Sequence, residues 1–339
     1  MRAAYYTGNR SFAIEDIEPM APGPDQVQID VAYCGICGTD LHAYHGVMDK
    51  RIGLHRIIGH EMSGRIAAVG EGVSGLAVGD PVVVRPLDHC GNCPACDAGH
   101  THVCHNLKFI GLDSDGAFQQ KWTVPAHTVH RIPADMSMEM AAFVEPLAVA
   151  VHDVRRGRVA AGEDVLVIGA GPIGMLIALA ARQVGANVTV TEVSENRLAF
   201  ADRLGFRALN GRDTDVVATM NEATGGKGAD VVFEVSGSQP GATLMTEAAA
   251  TRGRIVMVAI HPEPRTVDVF RFFWREVEMI GARVYDASDY DRAIELIASG
   301  EVPVAELVTG VKPLDDIGAA FAELDGNAAA MKTLINVGG

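Results

Sequence analysis

The sequence is poor in aromatic residues and in positive charge. Aromatic side chains make up 6% of its 339 residues, and 28 lysines and arginines stand against 43 aspartates and glutamates, which gives a formal net charge of −15. Nucleic acids and anionic membranes both bind basic surfaces. We therefore expect neither as a partner.

Long apolar runs are also missing. Gly171, Pro172 or charged residues interrupt every stretch before it reaches the length of a transmembrane helix. The opening residues MRAAYYTGNRSFAIEDIE read as an alternating strand and a turn, so we expect no secretory signal. The composition is that of an ordinary globular protein, and the length favours two domains. Together these features predict a cytoplasmic protein.

Cysteine is scarce but unevenly distributed. Of six cysteines, four fall within fifteen residues at Cys90, Cys93, Cys96 and Cys104. Four thiolates in one loop predict a closed tetrahedral zinc site with a structural role. An iron–sulfur cluster is less favoured, because the third spacing is seven residues and His105, not proline, follows the last cysteine. A disulfide pair is the minor alternative.

A second metal site is predicted from Cys37 and the pair His60–Glu61. A thiolate, an imidazole and a carboxylate suit zinc, and three protein ligands leave the fourth position open, as in catalytic sites. Glu145 is another candidate ligand. Since one thiolate and one carboxylate already balance the charge of Zn²⁺, we expect one glutamate to bind directly and the other through water or by exchange. Which of the two binds stays open.

Residues around Cys37 could support this site. Asp40 could hydrogen-bond His60, or it could cap the following helix. Thr39 could take a proton from an alcohol and His42 could pass it to solvent. Cys34 is expected to be a small buried residue. The remaining histidines near these motifs are expected on the surface or in loops rather than as ligands: His45, His55, His89, His100, His102 and His105.

A glycine-rich loop predicts a dinucleotide site. It contains Gly169, Gly171, Pro172, Ile173 and Gly174, and it separates the apolar run DVLVIGAG from a helix expected over residues 172–184. This strand–loop–helix context lets the glycine backbone approach a pyrophosphate at the helix N-terminus. A glycine-rich surface turn is the alternative reading.

Downstream residues refine the cofactor prediction. Glu192 ends the next strand, where a carboxylate would accept hydrogen bonds from both ribose hydroxyls of NAD and repel a 2′-phosphate. Arg197 could serve a phosphate instead, so NADP is the less favoured alternative. Ser236 and Ile260 follow later strands, whose ends are expected to flank the nicotinamide.

The order of patterns predicts an α/β protein with two parts. Short β-branched runs bounded by glycine and proline fill residues 1–85 and predict a small β-barrel. From Asp164 onward, strands alternate with helices, which is typical of a doubly wound parallel sheet. Helices are expected near Thr243–Ala250, Tyr290–Ala298 and Leu314–Leu324, and a last strand over MKTLINV.

Taken together, the motifs GICGTDLH, GHE, CGNCPAC, EPLAVAVH and GAGPIG resemble the medium-chain zinc-dependent alcohol dehydrogenase superfamily over nearly the whole chain. Glu145 in EPLA points to its polyol, threonine and butanediol dehydrogenase branch. The resemblance implies a GroES-like catalytic domain (1–146 and 284–339, with a structural-zinc lobe at 88–106) and a Rossmann NAD domain (147–283). It also implies that Arg283 lies near the nicotinamide, and it leaves the roles of Tyr44 and Phe109 in specificity undecided.

The resemblance implies an oxidoreductase that moves a hydride from a secondary alcohol, such as a polyol, sugar alcohol or vicinal diol, to NAD⁺ and leaves a ketone. It further implies one catalytic and one structural zinc per subunit, and a homotetramer or homodimer. Amino-alcohol oxidation of the threonine dehydrogenase type is an alternative. Others are a zinc-free reductase on the same scaffold, a zinc module that binds nucleic acid or protein, and a regulatory zinc- and NAD-binding protein without catalysis.

Overall fold

The computed structural model describes residues 1–261, 263–327 and 329–338. The chain divides into two compact units. The first comprises Met1–Glu145 together with the described residues from Asp286 onward, and the second comprises Pro146–Tyr285. The chain thus leaves the first unit, builds the second and returns to the first. Among these described residues, no helix is both long enough and apolar enough to cross a bilayer.

Both units combine strands and helices. In chain order, the strands are β1 (Arg2–Gly8), β2 (Ser11–Asp16), β3 (Gln26–Gly35), β4 (Arg56–Ile57), β5 (Glu61–Val69), β6 (Pro81–Val84), β7 (Leu87–Asp88), β8 (Lys108–Phe109), β9 (Lys121–Pro125), β10 (Val129–Arg131), β11 (Asp164–Ile168), β12 (Asn187–Glu192), β13 (Arg207–Asn210), β14 (Ala229–Glu234), β15 (Ala249–Met257), β16 (Glu278–Gly281), β17 (Val308–Pro313) and β18 (Lys332–Asn336). The helices are α1 (Gly38–Tyr44), α2 (Asp49–Ile52), α3 (Pro94–Asp97), α4 (Met138–Ala141), α5 (Val144–Arg156), α6 (Pro172–Gln183), α7 (Glu195–Arg203), α8 (Val216–Ala223), α9 (Gln239–Ala248), α10 (Val269–Arg275), α11 (Ala287–Ala298) and α12 (Ile317–Gly326).

The first unit is built around a mostly antiparallel sheet. Its strands follow the order β10-β6-β5-β3-β18-β17, and β9 also pairs with β3. Strand β18 comes from the far end of the sequence, yet it lies beside β3, with Ile335 opposite Cys34. Two smaller sheets, β2-β1-β4 and β7-β8, complete the β-structure of this unit as described. Large side chains fill its core: Tyr6, Ile29, Val83, Phe118, Trp122 and Phe321.

The second unit is a parallel sheet of six strands in the order β13-β12-β11-β14-β15-β16. Numbered within the unit, this is the order 3-2-1-4-5-6 of the Rossmann fold, so the predicted doubly wound sheet is confirmed. The apolar run of β11 fits a strand buried on both faces. Its core lies between this sheet and the helices α8 and α9, and contains Leu166, Ile168, Met220, Val232, Met245 and Ile255.

Helix boundaries follow local capping. Helix α6 ends one residue before the predicted position. Helix α9 begins at Gln239, four residues earlier than predicted, because the Ser238 hydroxyl accepts a hydrogen bond of 3.0 Å from the backbone N–H of Gly241. This is the serine N-cap that satisfies an otherwise unpaired donor of the first turn. In the first unit, the Tyr290 hydroxyl of α11 donates to the buried Val84 carbonyl at 2.6 Å.

The contact between β3 and β5 yields a stability prediction. A Cβ at Gly64 would lie 2.2 Å from the Asp30 carbonyl oxygen, which belongs to the backbone and cannot rotate away. We expect Gly64→Ala to lower the free energy of unfolding by about 1–3 kcal/mol or more, as overpacked cores do. The matched control is Gly318→Ala in α12, where a Cβ would meet nothing within 4 Å. Thermal unfolding measures both, and equal midpoints for the two variants would contradict the packing argument.

Candidate metal and nucleotide sites

The first helix positions Cys37. Cys37 is the N-cap residue of α1, and its sulfur accepts a bond of 3.5 Å from the backbone N–H of Thr39. In return, the Asp40 carboxylate accepts a bond of 2.9 Å from the backbone N–H of Cys37. This reciprocal capping box fixes the direction of the Cys37 side chain. Asp40 therefore has the helix-capping role, at the third helical position.

His60 and Glu61 lie where the chain enters β5, and both are buried. The preceding Gly59 has a φ of +98°, and a Cβ there would lie 2.8 Å from the Phe118 ring. Only glycine fits this turn, which explains why the pair follows it directly. The His60 ring packs edge-on against Phe109, with ring centroids 5.0 Å apart.

These elements bring the three predicted ligands together. One donor atom each from Cys37, His60 and Glu61 lies within 4.8 Å of the others. Ligands of a tetrahedral zinc ion lie about 3.3–3.8 Å apart, so a small inward movement would close this set on an ion. A soft sulfur, a nitrogen and an oxygen form a donor set that zinc accepts. The residues present therefore fit the predicted metal.

Two buried atoms beside this set support the same conclusion. Asp40 Oδ1 and His60 Nδ1 are 3.6 Å apart, which is longer than a hydrogen bond. Neither atom has a hydrogen-bond partner among the described residues. Burial opposes protonation of His60, but the Asp40 carboxylate and the Cys37 sulfur outweigh it and raise its pKa well above the usual range. The cluster carries surplus negative charge, as a cation site should.

Sequence reasoning missed Lys332. Its ammonium group, at the start of β18, lies 2.7 Å from each carboxylate oxygen of Glu61 and is buried with it. Burial lowers the pKa of Lys332, but Glu61 and Cys37 raise it more, so the pKa is raised overall. A lysine beginning an apolar strand was the available signal. Its charge alters the charge balance expected for the zinc site, since it offsets one of the candidate carboxylates.

Glu145 stands near the start of α5 and is buried. Its carboxylate is not part of the set whose donor atoms all lie within 4.8 Å of one another. Thr39 and His42 lie three residues apart on α1, which places them on one face of the helix. Thr39 is half-buried and His42 is exposed. That gradient matches a path from the site to solvent.

The other histidines lie mostly in exposed positions. His45 pairs with Asp325 and His55 with Glu15, each at 2.8 Å. His102 differs from the expectation of a surface residue, because it is only 8% exposed and lies 2.6 Å from the Asp286 carboxylate. Cys34 is fully buried, as expected of a small packing residue.

The four clustered cysteines form a second donor set. The sulfur of Cys93 lies 3.6 Å from that of Cys96 and 3.8 Å from that of Cys104, which is 3.4 Å from Cys90. These separations exclude disulfide bonds and approach the spacing of about 3.8 Å that a tetrahedral zinc–sulfur site requires. Backbone N–H groups of Cys96 and His105 lower the pKa of Cys93 to about 6. These N–H groups therefore favour the thiolate form of Cys93, whereas burial raises the pKa of Cys96 to about 12.

The glycine loop closes β11 and opens α6. Gly169 has a φ of +106°, and a Cβ at Gly174 would lie 1.9 Å from the Gly169 carbonyl oxygen. Gly171 is the N-cap of α6 and makes no side-chain cap bond, and Pro172 and Ile173 follow as the first helical residues. The loop thus leaves the helix N-terminus open to an anion, and it fits a dinucleotide pyrophosphate.

The predicted ribose carboxylate lies against this loop. Glu192 accepts hydrogen bonds from the backbone N–H groups of Ala170 at 3.0 Å and Val193 at 2.7 Å. Arg197 lies 3.8 Å from the same carboxylate. Both residues therefore stand beside the nucleotide loop, and the carboxylate is the one held at the tip of the strand.

The three further cofactor candidates follow adjacent strands of the parallel sheet. Ser236 lies two residues beyond β14 and donates to the buried Glu234 carboxylate. Ile260 lies three residues beyond β15 and is 72% exposed. Arg283 lies two residues beyond β16 and is also exposed. All three stand at the carboxyl ends of their strands, where such sheets bind ligands.

Comparison with known proteins identifies the family. The model of an alcohol dehydrogenase GroES-like domain matches residues 23–134, and that of a zinc-binding dehydrogenase matches residues 172–299. The chain belongs to the medium-chain zinc-dependent alcohol dehydrogenase superfamily. The predicted combination of a GroES-like domain and a Rossmann domain is thereby confirmed.

Members of this superfamily align with the chain over nearly its full length. The 2-dehydro-3-deoxy-L-galactonate 5-dehydrogenase of Pseudoalteromonas atlantica is 55% identical, covering 99% of this chain and 98% of its own. The sorbitol dehydrogenase of Halalkalibacterium halodurans is 32% identical, covering 97% and 96%. The structure of 2R,3R-butanediol dehydrogenase from Bacillus subtilis is similar with a TM-score of 0.92 and 31% identity, covering 99% of both chains.

These findings confirm the prediction of an enzyme. The chain is a dehydrogenase of the polyol and diol type, which oxidises a hydroxyl group to a ketone. They also confirm a zinc-binding family. The alternatives of a zinc-free reductase, a nucleic-acid module and a regulatory protein without catalysis find no support in them.

The two donor sets predict different responses to cysteine loss. We expect the wild type to hold about two zinc ions per chain and Cys93→Ser to hold about one, with a lower thermal midpoint, because four-sulfur sites contribute folding energy. Cys34→Ala serves as the control, since Cys34 lies outside both sets and should keep the full metal content. Metal analysis and calorimetry measure this. Full zinc content in Cys93→Ser would refute the structural site.

Proposed function

We propose that this enzyme oxidises the C5 hydroxyl of a 2-keto-3-deoxy sugar acid with NAD⁺, giving the 5-ketone. The convergence of the half-buried Cys37 with the buried His60 and Glu61 supports the chemistry. The 55% identity to the 2-dehydro-3-deoxy-L-galactonate 5-dehydrogenase supports the substrate class. Neutral polyols and diols are the second candidate, supported by the sorbitol and butanediol dehydrogenases at 32% and 31% identity.

Cys37, His60 and one glutamate would hold the catalytic zinc, and the four clustered cysteines would hold the structural one. When bound, the catalytic zinc supplies Lewis acidity that lowers the pKa of the alcohol, and NAD supplies the hydride acceptor. The side chains of this chain have a narrower task. They fix the donor atoms, exclude water from the buried set and remove one proton.

Thr39 and His42 would carry that proton. The Thr39 hydroxyl accepts the proton of the substrate alcohol as its own proton passes outward to the His42 ring nitrogen. His42 is exposed and releases it to solvent. The Thr39 backbone N–H donates a hydrogen bond to the Cys37 sulfur, which holds Thr39 beside the proposed metal ligand. A general base of this kind typically accelerates the reaction about 10²- to 10⁴-fold.

Lys332 supports a role for both glutamates. Because its ammonium group neutralises Glu61, a second carboxylate can approach the site without making it anionic. We propose that Glu61 is the direct ligand and that Glu145 acts at the edge of the set. One carboxylate oxygen of Glu61 would bind the metal, and the ammonium group of Lys332 would keep its hydrogen bond to the second oxygen.

NAD rather than NADP is the proposed cofactor. The Glu192 carboxylate beside the glycine loop would accept from the ribose hydroxyls and repel a 2′-phosphate. Arg197 is already engaged with Glu192 at 3.8 Å, which reduces its pull on a phosphate. Ser236, Ile260 and Arg283 would flank the nicotinamide from the ends of three strands.

A homotetramer or homodimer in the cytoplasm completes the proposal. Phe270, Phe273 and Trp274 of α10 are more than half exposed, and the neighbouring β16 is an edge strand of the sheet. A second copy covering both would remove an apolar patch and an open edge. None of the six cysteines forms a disulfide bond, which suits a reducing compartment.

The substrate is tested by following NADH absorbance with 2-dehydro-3-deoxy-L-galactonate, sorbitol and 2,3-butanediol. We expect the acid to give the highest kcat/KM. We expect Cys37→Ser to lower kcat by more than about 100-fold, because mutating a residue that merely hydrogen-bonds a metal ligand commonly lowers activity or metal affinity about 10- to 100-fold. Cys34→Ala is the matched control, three residues away in the sequence. A wild type that prefers neutral substrates would contradict the proposed substrate, and an active Cys37→Ser would contradict the metal mechanism.

Cofactor choice is tested separately. Glu192→Ala should raise the KM for NAD⁺ about 10-fold or more, because it removes charge-assisted hydrogen bonds to the ribose. It should also lower the ratio of kcat/KM for NAD⁺ to kcat/KM for NADP⁺. Glu195→Ala removes a nearby exposed carboxylate and should leave both values unchanged. If the wild type used NADP⁺ as well as NAD⁺, the proposed role of Glu192 would be wrong.

A further inference from the structure

A basic segment precedes the zinc-site strand. Residues 50–56 include Lys50, Arg51 and Arg56 and no acidic residue, in a chain whose net charge is −15. Arg51 belongs to α2 and Arg56 to β4, after which the chain runs directly to Gly59 and His60. Arg51 is paired with Asp113 and Arg56 with Asp115, so these arginines could attract an anion only through donor N–H groups that the aspartates leave open.

Arg51 is held by a two-point contact. Its Nε and Nη2 atoms each donate to the Asp113 carboxylate at 2.8 Å. The backbone N–H of Phe109 donates to the same carboxylate at 2.8 Å, which fixes Asp113 in turn. Burial opposes ionisation of Asp113, but Arg51 and this N–H outweigh it and lower its pKa. The guanidinium is therefore positioned before any ligand arrives.

The segment that anchors Arg51 packs on the zinc site. The Phe109 ring lies edge-on to the His60 ring at 5.0 Å. A Cβ at Gly111 would lie 2.4 Å from the Gly59 carbonyl oxygen and 3.2 Å from His60 Cβ. The turn from Phe109 to Asp113 thus links the guanidinium to the backbone of a predicted ligand. Arg51 is thereby connected, through Asp113 and Phe109, to the segment that packs on His60.

The outer edge of the Arg51 guanidinium is available. Asp113 uses Nε and one side of Nη2, and Nη1 donates to no atom among the described residues. The Arg51 side chain is 44% exposed. Two other cations nearby are more committed, because Arg56 contacts both Asp115 and the Ile52 carbonyl, and Lys332 is buried on Glu61. Of these three cations, Arg51 has the most exposed side chain, and its two-point contact with Asp113 leaves one edge of the guanidinium open.

We propose that Arg51 binds the carboxylate of the substrate and so selects an acid over a neutral polyol. The inference rests on the proposed function, in which C5 is oxidised and the carboxylate stands four bonds away at C1. A carboxylate leaves water favourably only when a partner replaces its hydration. The free edge of a guanidinium matches its two oxygens. Sorbitol and 2,3-butanediol carry no group that needs this contact.

The test compares substrates across variants of the full-length, zinc-loaded enzyme. We expect Arg51→Gln to lower kcat/KM for 2-dehydro-3-deoxy-L-galactonate about 10- to 100-fold, mainly through KM, and to change that for 2,3-butanediol by less than about twofold. Arg51→Lys should fall between, since it keeps the charge and loses the planar fork. The matched control is Arg2→Gln, because Arg2 is also 44% exposed and paired with an aspartate, Asp315.

The outcomes separate this inference from the proposed function. Equal losses on both substrates in Arg51→Gln would assign Arg51 a structural role and overturn the inference, as would an unchanged kcat/KM for the acid. If the wild type failed to oxidise the acid, the proposed function would fall. Inhibition of butanediol oxidation by the acid, relieved in Arg51→Gln, would then still support Arg51 as the carboxylate site, and absence of inhibition would overturn it.

Discussion

The buried ion pair between Glu61 and Lys332 is the constraint on which the predicted catalytic site depends. Both groups are removed from water, and breaking such a pair by removing one partner commonly costs about 3–5 kcal/mol. Lys332 also hydrogen-bonds the Ile36 carbonyl, next to Cys37. One ammonium group therefore binds both the Glu61 carboxylate at the start of β5 and the Ile36 carbonyl just before α1. It joins the two segments that carry the predicted zinc ligands.

The same pair explains how the site can hold several acids. Cys37, Asp40, Glu61 and Glu145 would repel one another in a buried setting with only a histidine between them. Lys332 offsets one of these four charges, and a divalent cation would offset two more. The ion pair fixes Glu61, and the capping box of α1 fixes Cys37 and Asp40. The remaining negative charge of the site would be balanced only when the metal binds.

Features encoded by neighbouring residues could be predicted from the sequence. The glycine loop, the cysteine cluster and the alternation of strands with helices all depend on short spacings, and the parallel sheet that this alternation predicts is present. Pairings between distant residues could not be predicted. Lys332 meets Glu61 only because β18 inserts beside β3, and Arg51 meets Asp113 across 62 positions. Asp40 was ambiguous because one carboxylate faces both a helix end and a histidine.

The place of β18 in the first unit has a consequence for biosynthesis. The donors Cys37, His60 and Glu61 emerge early, but the lysine that stabilises one of them follows the entire second unit in the sequence. Until that strand arrives, the carboxylate of Glu61 lacks its cation, and the central sheet lacks the neighbour of β3. Closing so long a loop is entropically costly and slow. Zinc bound before β18 pairs with β3 would bind an incompletely folded first unit. The second unit, whose residues are contiguous in the sequence, can fold while the first unit still lacks β18.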